Sequence, residues 1–120
     1  MRAVLVVDDS VSMRRMVAFT LKEGGFSTVE AEHGADALDK LKTEKVDLVI
    51  TDLNMPVMDG ITFIKNARQM PGMKSKPILM LTTEGLQAKK EEGKAAGATG
   101  WLVKPFDPAK LLQTIAKVLP

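Results

Sequence analysis

Acidic residues follow two apolar segments of this chain. Asp8 and Asp9 come after AVLVV, and Asp52 comes after VDLVI and one threonine. Grouped carboxylates can ligate a divalent cation, and an aspartate can also act as a nucleophile that forms an acyl phosphate. A single aspartate in such a place is more often a helix cap or a turn residue. The chemistry therefore depends on whether the fold brings the three together.

Polar residues also follow two later apolar segments. Thr82 and Thr83 come after PILML, and Lys104 comes after GWLV. Ligands of a parallel α/β sheet bind outside the carboxyl ends of its strands. We therefore expect the three aspartates, the Thr82 hydroxyl and the Lys104 ammonium to share one edge of the sheet.

The expected cluster of carboxylates favours a metal ion and phosphoryl chemistry. Neighbouring carboxylates repel one another, and a divalent cation removes that penalty. Oxygen ligands without histidine or cysteine favour Mg²⁺, Mn²⁺ or Ca²⁺, and one or two carboxylates with room for water and a phosphoryl oxygen are typical of Mg²⁺. Lys104 and Thr82 could hold a phosphoryl group, with Asp52 as its nucleophile.

The elements that would position these side chains alternate along the chain. Five apolar segments predict strands, and the amphipathic segments between them predict helices. The predicted strands are residues 3–7, 26–31, 46–50, 77–81 and 100–103. Strict alternation indicates an α/β, doubly wound fold with a parallel sheet and right-handed crossovers. The second segment alternates more than the others, so we expect it at an edge.

Local signals predict where several helices begin and end. Gly24–Gly25 should end the first helix, Asp59 should cap the third, and Asp107–Pro108 should begin the fifth. The fourth, over residues 86–97, contains Gly93 and only one large apolar anchor, Leu86, so it should be the least firmly docked.

Two basic or titratable features are interpreted as solvated. Arg14 and Arg15 on the first helix are expected to face water rather than a partner. His33, the only histidine, is expected to be solvated in the loop before the second helix.

Composition narrows the class of protein. The chain has 120 residues, a net charge of +2 and no cysteine. This length fits one domain over residues 1–120, and the small charge argues against a nucleic-acid partner. The absence of cysteine excludes disulfides and thiol catalysis and fits a reducing cytosol. The first apolar segment is too short for a signal peptide or a membrane span, so we expect a cytoplasmic protein without a membrane partner.

Four motifs carry a resemblance to a known family: VLVVDDS, VITDLNMPVMDG, PILMLTTEG and WLVKPF. Over essentially its whole length, the chain resembles the receiver domain of two-component response regulators, and within that family the CheY-type single-domain regulators of chemotaxis. The resemblance implies a five-stranded flavodoxin-like (βα)5 fold, in the strand order 2-1-3-4-5 known for this fold. It also implies that no output domain is present.

The resemblance assigns the metal ligands and the phosphoryl acceptor. Asp52 would accept a phosphoryl group from a histidine kinase. Asp8, Asp9, Asp52 and the backbone carbonyl of Asn54 would hold Mg²⁺, for which Mn²⁺ could substitute. Self-catalysed transfer to Asp52 and autodephosphorylation would then be the reactions, without a conventional small-molecule substrate.

The resemblance also assigns residues around the phosphoryl group. Thr82 and Lys104 would bind phosphoryl oxygens, and the bond between Lys104 and Pro105 would be cis. Asn54 and Glu84 fall at the positions that tune self-dephosphorylation. Thr83 is small and should leave the phosphoryl site accessible.

The implied output is a switch that ends in protein contacts. Thr82 would move toward the phosphoryl group and open space for Trp101, which stands where the family usually has tyrosine or phenylalanine. Trp101 could instead be a fixed packing residue. The readout face would be helix 4, strand 5 and helix 5, including Lys89, Lys90 and Lys117. The implied partners of this monomer are a histidine kinase, a flagellar switch component and a phosphatase.

Three rival functions remain at this stage. A stand-alone receiver could serve as a phosphate sink or as an adaptor in another pathway. A Mg²⁺-dependent phosphohydrolase that uses an aspartyl phosphate typically has a second aspartate where this chain has Asn54. A flavin or nucleotide carrier needs small or hydroxyl residues after strand 1, where Asp8 and Asp9 would repel a phosphate.

Overall fold

The computed structural model describes residues 2–83 and 87–119, in which strands and helices alternate. The strands are β1 (Ala3–Val7), β2 (Ser27–Ala31), β3 (Leu48–Thr51), β4 (Ile78–Thr82) and β5 (Gly100–Val103). The helices are α1 (Val11–Glu23), α2 (Gly34–Thr43), α3 (Gly60–Arg68), α4 (Gln87–Ala96) and α5 (Pro108–Val118). Every predicted strand exists, with bounds that differ by at most two residues.

The five strands form one parallel sheet in the order β2-β1-β3-β4-β5. This order confirms the predicted doubly wound, flavodoxin-like fold, and β2 lies at an edge as expected. The register sets Val7 of β1 opposite Ala31 of β2 and Thr51 of β3. The carboxyl ends of these strands are therefore level, so the residues that follow them are neighbours.

Helices cover both faces of the sheet, and every strand except the edge strand β2 contributes side chains to both cores. On one face, Val17 and Leu21 of α1 pack with Leu111 and Ile115 of α5. On the other face, the core includes residues of α2, α3 and α4, with Phe63 completely buried. Successive side chains of a strand point to opposite faces. The nearly continuous apolar strands of the sequence follow from this double burial.

Helix ends agree with the predicted caps. Asp59 accepts a hydrogen bond from the Thr62 N–H, and Asp107 caps α5 with Pro108 in its first turn. Gly24 is the C-cap of α1, and Gly25 follows with a φ of 91°.

The prediction for His33 was wrong. Its Nδ1 accepts a hydrogen bond from the Asp36 N–H, so the imidazole is the N-cap of α2 rather than a solvated loop group.

Gly93 has a packing role in α4 that its helix propensity does not reveal. A Cβ atom built on Gly93 would lie 2.5 Å from Sδ of Met80, a completely buried residue of β4. The missing side chain therefore lets α4 lie close to the sheet. Leu86, the apolar anchor named from the sequence, lies outside the described residues.

In the described ranges, every helix is too short or too polar to cross a membrane.

Val57 holds an unfavourable backbone conformation in the loop between β3 and α3. Its φ is 70°, and the Met58 N–H donates to the Pro56 carbonyl at 2.7 Å, which closes a tight turn around it. A β-branched residue is disfavoured at positive φ, and such strain costs on the order of 1–3 kcal/mol. Its side chain is 78% exposed, so packing returns little of that cost.

We predict that Val57→Asn raises the free energy of unfolding by about 1 kcal/mol, because asparagine tolerates this region. Urea unfolding measures the change. Val57→Ile keeps the β-branch and should give no gain. Equal stabilities for the Asn and Ile variants would contradict the assignment of strain to Val57.

Candidate functional site

The carboxyl edge of the sheet gathers the predicted chemical residues. The Asp52 N–H donates to the Val7 carbonyl at 2.8 Å, which fixes Asp52 beside the end of β1. The Lys104 N–H donates to the Thr82 carbonyl, also at 2.8 Å. Backbone pairing thus continues just past the strands and places the aspartates, Thr82 and Lys104 along one edge.

Three aspartates converge there. One carboxylate oxygen from each of Asp8, Asp9 and Asp52 lies within 4.8 Å of the other two. Asp8 and Asp52 are only 3% and 8% exposed, whereas Asp9 is exposed. Buried carboxylates at this spacing, open to solvent on the Asp9 side, suit a hard divalent cation that keeps some of its water. The donor set fits Mg²⁺.

Lys104 joins the two buried carboxylates. Its Nζ atom lies 2.8 Å from Oδ2 of Asp8 and 3.4 Å from Oδ2 of Asp52. Burial lowers the pKa of Lys104, but the hydrogen bond that Lys104 donates to Asp8 and the charges of Asp52 and Asp8 outweigh it, so the pKa is raised overall. Lys104 is therefore a firmly charged ammonium at the centre of the site.

The charged form of Asp52 is nevertheless disfavoured at this site. Burial and the negative charge of Asp8 raise its pKa, and they outweigh Lys104 and the Leu53 N–H, which favour the charged form. One ammonium does not compensate two buried carboxylates and a third at the rim. The site has an excess of negative charge that an added cation would relieve.

The loop after β3 fixes the orientation of the Asp52 carboxylate. Its Oδ1 accepts a hydrogen bond from the Leu53 N–H at 2.8 Å, which leaves Oδ2 toward Lys104. The Gly60 N–H donates to the Leu53 carbonyl at 2.7 Å. A Cβ atom on Gly60 would overlap the Asp52 carbonyl oxygen, so only glycine lets α3 begin this close to Asp52.

The start of α1 fixes the Asp8 carboxylate. Its Oδ1 accepts a hydrogen bond from the Ser10 N–H at 2.9 Å, and Oδ2 accepts from Lys104. Ser10 caps α1 by accepting a hydrogen bond from the Met13 N–H at 3.2 Å. The positive end of the α1 dipole therefore lies beside the acidic cluster and favours its negative charge.

Arg14 is a residue of this site that the sequence did not reveal. Its Nη1 donates to the Asp8 carbonyl at 2.8 Å, and its Nε donates to Oε1 of Glu30 on β2 at 3.1 Å. Only 14% of its side chain is exposed, so the prediction of a solvated side chain was wrong for Arg14. Its sequence signal is an arginine in the second turn of a helix that follows Asp8, which is too common to be diagnostic.

The remaining predicted residues surround this centre. Thr82 is buried at the end of β4, and Thr83 and Asn54 are exposed. The peptide bond from Lys104 to Pro105 is cis, the isomer that the resemblance implies. Glu84 lies outside the described residues.

Trp101 is half-buried and packs against the core on the α4 side of the sheet. Nζ of Lys90 lies 5.7 Å from the centre of its ring, within range of a cation–π contact. The indole Nε1 is buried without a hydrogen-bond partner among the described residues. A buried donor without an acceptor is costly.

Comparisons with known proteins agree with this arrangement. Residues 4–116 match the family described as the response regulator receiver domain. The chemotaxis protein CheY-3 of Vibrio cholerae is 42% identical over 116 residues, which cover 96% of this chain and 89% of that protein. A CheY homolog of Campylobacter jejuni is 44% identical over 118 residues, with 97% and 91% covered. The crystallised V. cholerae chemotaxis protein CheY4 superposes with a TM-score of 0.96 at 52% identity, covering 99% of each chain.

The Arg14 contacts give a first prediction for the site. Arg14→Ala should weaken Mg²⁺ binding by about tenfold, the lower end of what loss of a supporting contact costs a metal site. Arg14→Lys should recover part of the loss, because an ammonium can donate to one of the two acceptors. Mg²⁺ titration followed by Trp101 fluorescence measures the dissociation constant. An Arg15→Ala control on the exposed neighbour should leave it unchanged.

The raised pKa of Asp52 gives a second prediction. Without divalent cations at neutral pH, Asp52→Asn should raise the free energy of unfolding by about 1 kcal/mol, because it removes a disfavoured buried charge. The advantage should shrink as the pH falls through the raised pKa, since protonation relieves the wild-type protein. Urea unfolding at several pH values tests both statements. A less stable variant at neutral pH would contradict them.

Proposed function

The chain belongs to the response regulator receiver domain family, and from that premise we propose that it is a phosphorylation-activated switch of chemotaxis. The family and the homology to CheY regulators are established by the matches over nearly the whole chain. The chemistry and the pathway are the proposal. The observation that carries it is Lys104 between the carboxylates of Asp8 and Asp52 at the rim of the sheet.

The proposed reaction transfers a phosphoryl group from a histidine kinase to Asp52. A carboxylate oxygen of Asp52 would attack the phosphorus of a phosphohistidine. The new P–O bond forms while the P–N bond breaks, and the imidazole keeps that electron pair and takes a proton from solvent. Later attack by water on the acyl phosphate would release inorganic phosphate and restore Asp52.

Asp8, Asp9, Asp52 and the Asn54 carbonyl would hold Mg²⁺, with Mn²⁺ as a substitute. Bound Mg²⁺ would supply charge neutralisation to the oxygens of the group being transferred. The excess negative charge at the three aspartates supports this assignment.

Lys104 and Thr82 would bind the other phosphoryl oxygens. The Lys104 ammonium already lies 3.4 Å from the Asp52 carboxylate, so it could contact a phosphoryl oxygen there after a small movement. Thr82 would donate its hydroxyl. Asn54 and Glu84 would influence the rate at which water removes the group, and the exposed Thr83 would leave it accessible.

Trp101 would transmit the conformational change from the phosphorylation site to the protein surface. We propose that movement of Thr82 lets the indole turn inward, which would break its contact with Lys90 and give Nε1 the chance to find an acceptor. The affected surface comprises α4, β5 and α5, including Lys89, Lys90 and Lys117.

The partners follow from the chemotaxis relatives. We propose a cytoplasmic histidine kinase as donor, a flagellar switch component as the protein that reads the α4-β5-α5 surface, and a phosphatase that shortens the signal. The relatives are named as chemotaxis proteins, which favours this output over a phosphate sink or an adaptor. Asn54 in place of an aspartate disfavours the phosphohydrolase.

Intact mass spectrometry with Mg²⁺ and acetyl phosphate tests the reaction. The wild-type protein should gain one phosphoryl group, and Asp52→Asn should gain none. EDTA should abolish the gain, and Lys104→Ala should reduce its rate by at least about tenfold, because the variant loses a charge that offsets the phosphoryl oxygens. A gain that survives in Asp52→Asn would refute Asp52 as the acceptor.

Trp101 fluorescence in the same sample tests the switch. Phosphorylation should change the emission, and Lys90→Gln should change the spectrum of the unphosphorylated protein toward the same state, because it removes the cation from the ring. Identical emission before and after a complete mass gain would leave Trp101 as a fixed packing residue.

A further inference from the structure

The edge strand β2 holds the backbone of Asp8 at two points. The Asp8 N–H donates to the Ala31 carbonyl at 3.1 Å, and the Asp8 carbonyl accepts a hydrogen bond from Nη1 of Arg14 at 2.8 Å. Nε of the same guanidinium donates to Oε1 of Glu30 at 3.1 Å. The backbone beside the two aspartates is therefore tied to β2 directly through Ala31 and indirectly through Arg14 and Glu30.

Asp9 depends on this backbone more than Asp8 does. The Asp8 carboxylate is held by the Ser10 N–H and by Lys104. The Asp9 carboxylate is exposed and accepts no hydrogen bond from any group within residues 2–83 and 87–119. The Asp8 carbonyl belongs to the peptide bond that leads into Asp9, so the contact from Arg14 also fixes the point from which the Asp9 side chain extends.

Glu30 determines which acceptor Arg14 contacts. A guanidinium is a planar group whose donors point in fixed directions, so the bond from Nε to Glu30 leaves Nη1 directed at the Asp8 carbonyl. Without Glu30, an uncompensated cation would remain beside the acidic cluster. Arginine pairs more strongly with a carboxylate than with a carbonyl. The freed guanidinium would therefore turn toward an aspartate carboxylate and compete there with a metal ion.

Glu30 is itself a well-placed acceptor. Its backbone lies opposite Val6 in the parallel ladder, and its carbonyl accepts a hydrogen bond from Nζ of Lys40 on α2 at 2.7 Å. Only 33% of its side chain is exposed. Glu30 is thus a fixed partner for Arg14 rather than a mobile carboxylate on the surface.

We propose that Glu30 is a positioning residue for the divalent cation and acts through Arg14. It directs the guanidinium to the Asp8 carbonyl and keeps it away from the carboxylates that would ligate the ion, without contacting the ion itself. The inference rests on the proposed metal site and adds to it a residue of the edge strand, which contributes none of the ligands.

Mn²⁺ titration tests this role, with the free ion measured by electron paramagnetic resonance. Glu30→Ala should raise the dissociation constant by about threefold, less than the loss in Arg14→Ala, because the carbonyl contact is weakened rather than removed. Glu30→Gln should recover most of the loss, since the amide oxygen can still accept from Nε. In the Arg14→Ala background, Glu30→Ala should cause no further change, because Glu30 acts only through Arg14.

Two control variants separate this role from charge and from stability. Glu32→Ala removes the same charge just beyond β2, at a side chain that is 68% exposed, and should leave the dissociation constant unchanged. Lys40→Met removes the other side-chain contact of Glu30, so it should lower the free energy of unfolding without changing Mn²⁺ binding. A loss of binding in Lys40→Met equal to that in Glu30→Ala would overturn the proposal, and so would additive effects of the Arg14 and Glu30 substitutions.

Phosphorylation of the same proteins by acetyl phosphate, read by intact mass, distinguishes the two proposals. A wild-type protein that binds Mn²⁺ and gains a phosphoryl group, with unchanged Mn²⁺ binding in Glu30→Ala, would overturn the role of Glu30 alone. The expected pattern of Mn²⁺ binding without any phosphoryl gain would overturn the phosphoryl transfer and leave the role of Glu30 intact. A wild-type protein that binds no divalent cation would overturn both.

Discussion

The ion pairs from Lys104 to Asp8 and Asp52 tie the edge of the sheet together. Three different strands supply these groups, and the distances of 2.8 and 3.4 Å hold only when β1, β3 and β5 end at the same level. The parallel register provides that level, since Val7 and Thr51 are paired and each is followed by an aspartate. The site is thus a consequence of topology, although its residues are far apart in sequence.

The same contacts compensate the negative charge of the site only in part. A buried ion pair gains little when the desolvation of its members is counted, and here one ammonium serves several carboxylates. The raised pKa of Asp52 reflects this excess of negative charge. Helix α1, with Ser10 at its beginning and Arg14 inside it, supplies further positive field and fixes the Asp8 backbone. The fold therefore holds a concentration of negative charge rigidly in place, which is what binding a divalent cation requires.

Much of this could be predicted from the sequence because the relevant signals are local or topological. Apolar segments and their alternation predicted a parallel sheet, and the polar residues after four of its strands placed Asp8, Asp52, Thr82 and Lys104 at one edge. The order of the strands came from the family resemblance. The roles of Arg14 and Gly93 were missed because they depend on contacts between distant segments. Arg14 meets Glu30 across the sheet edge, and Gly93 faces Met80 across the layer between α4 and β4. Neither has a periodic pattern or a motif that would distinguish it from an ordinary arginine or a weak helix former.

Arg14 and Arg15 are neighbours on α1 but face different surroundings. Adjacent residues of an α-helix differ by about 100° around its axis, so identical side chains can face different surroundings. Arg14 is turned toward the sheet edge, where it holds the Asp8 carbonyl, and Arg15 is turned toward the solvent beside Phe19. Helix α1 therefore has the acidic cluster at its beginning and the exposed side chains of Met16 and Phe19 along its outer side. Helix α1, rather than the loop that carries Asp52, is therefore the element that connects the acidic cluster with the exposed surface beside Phe19.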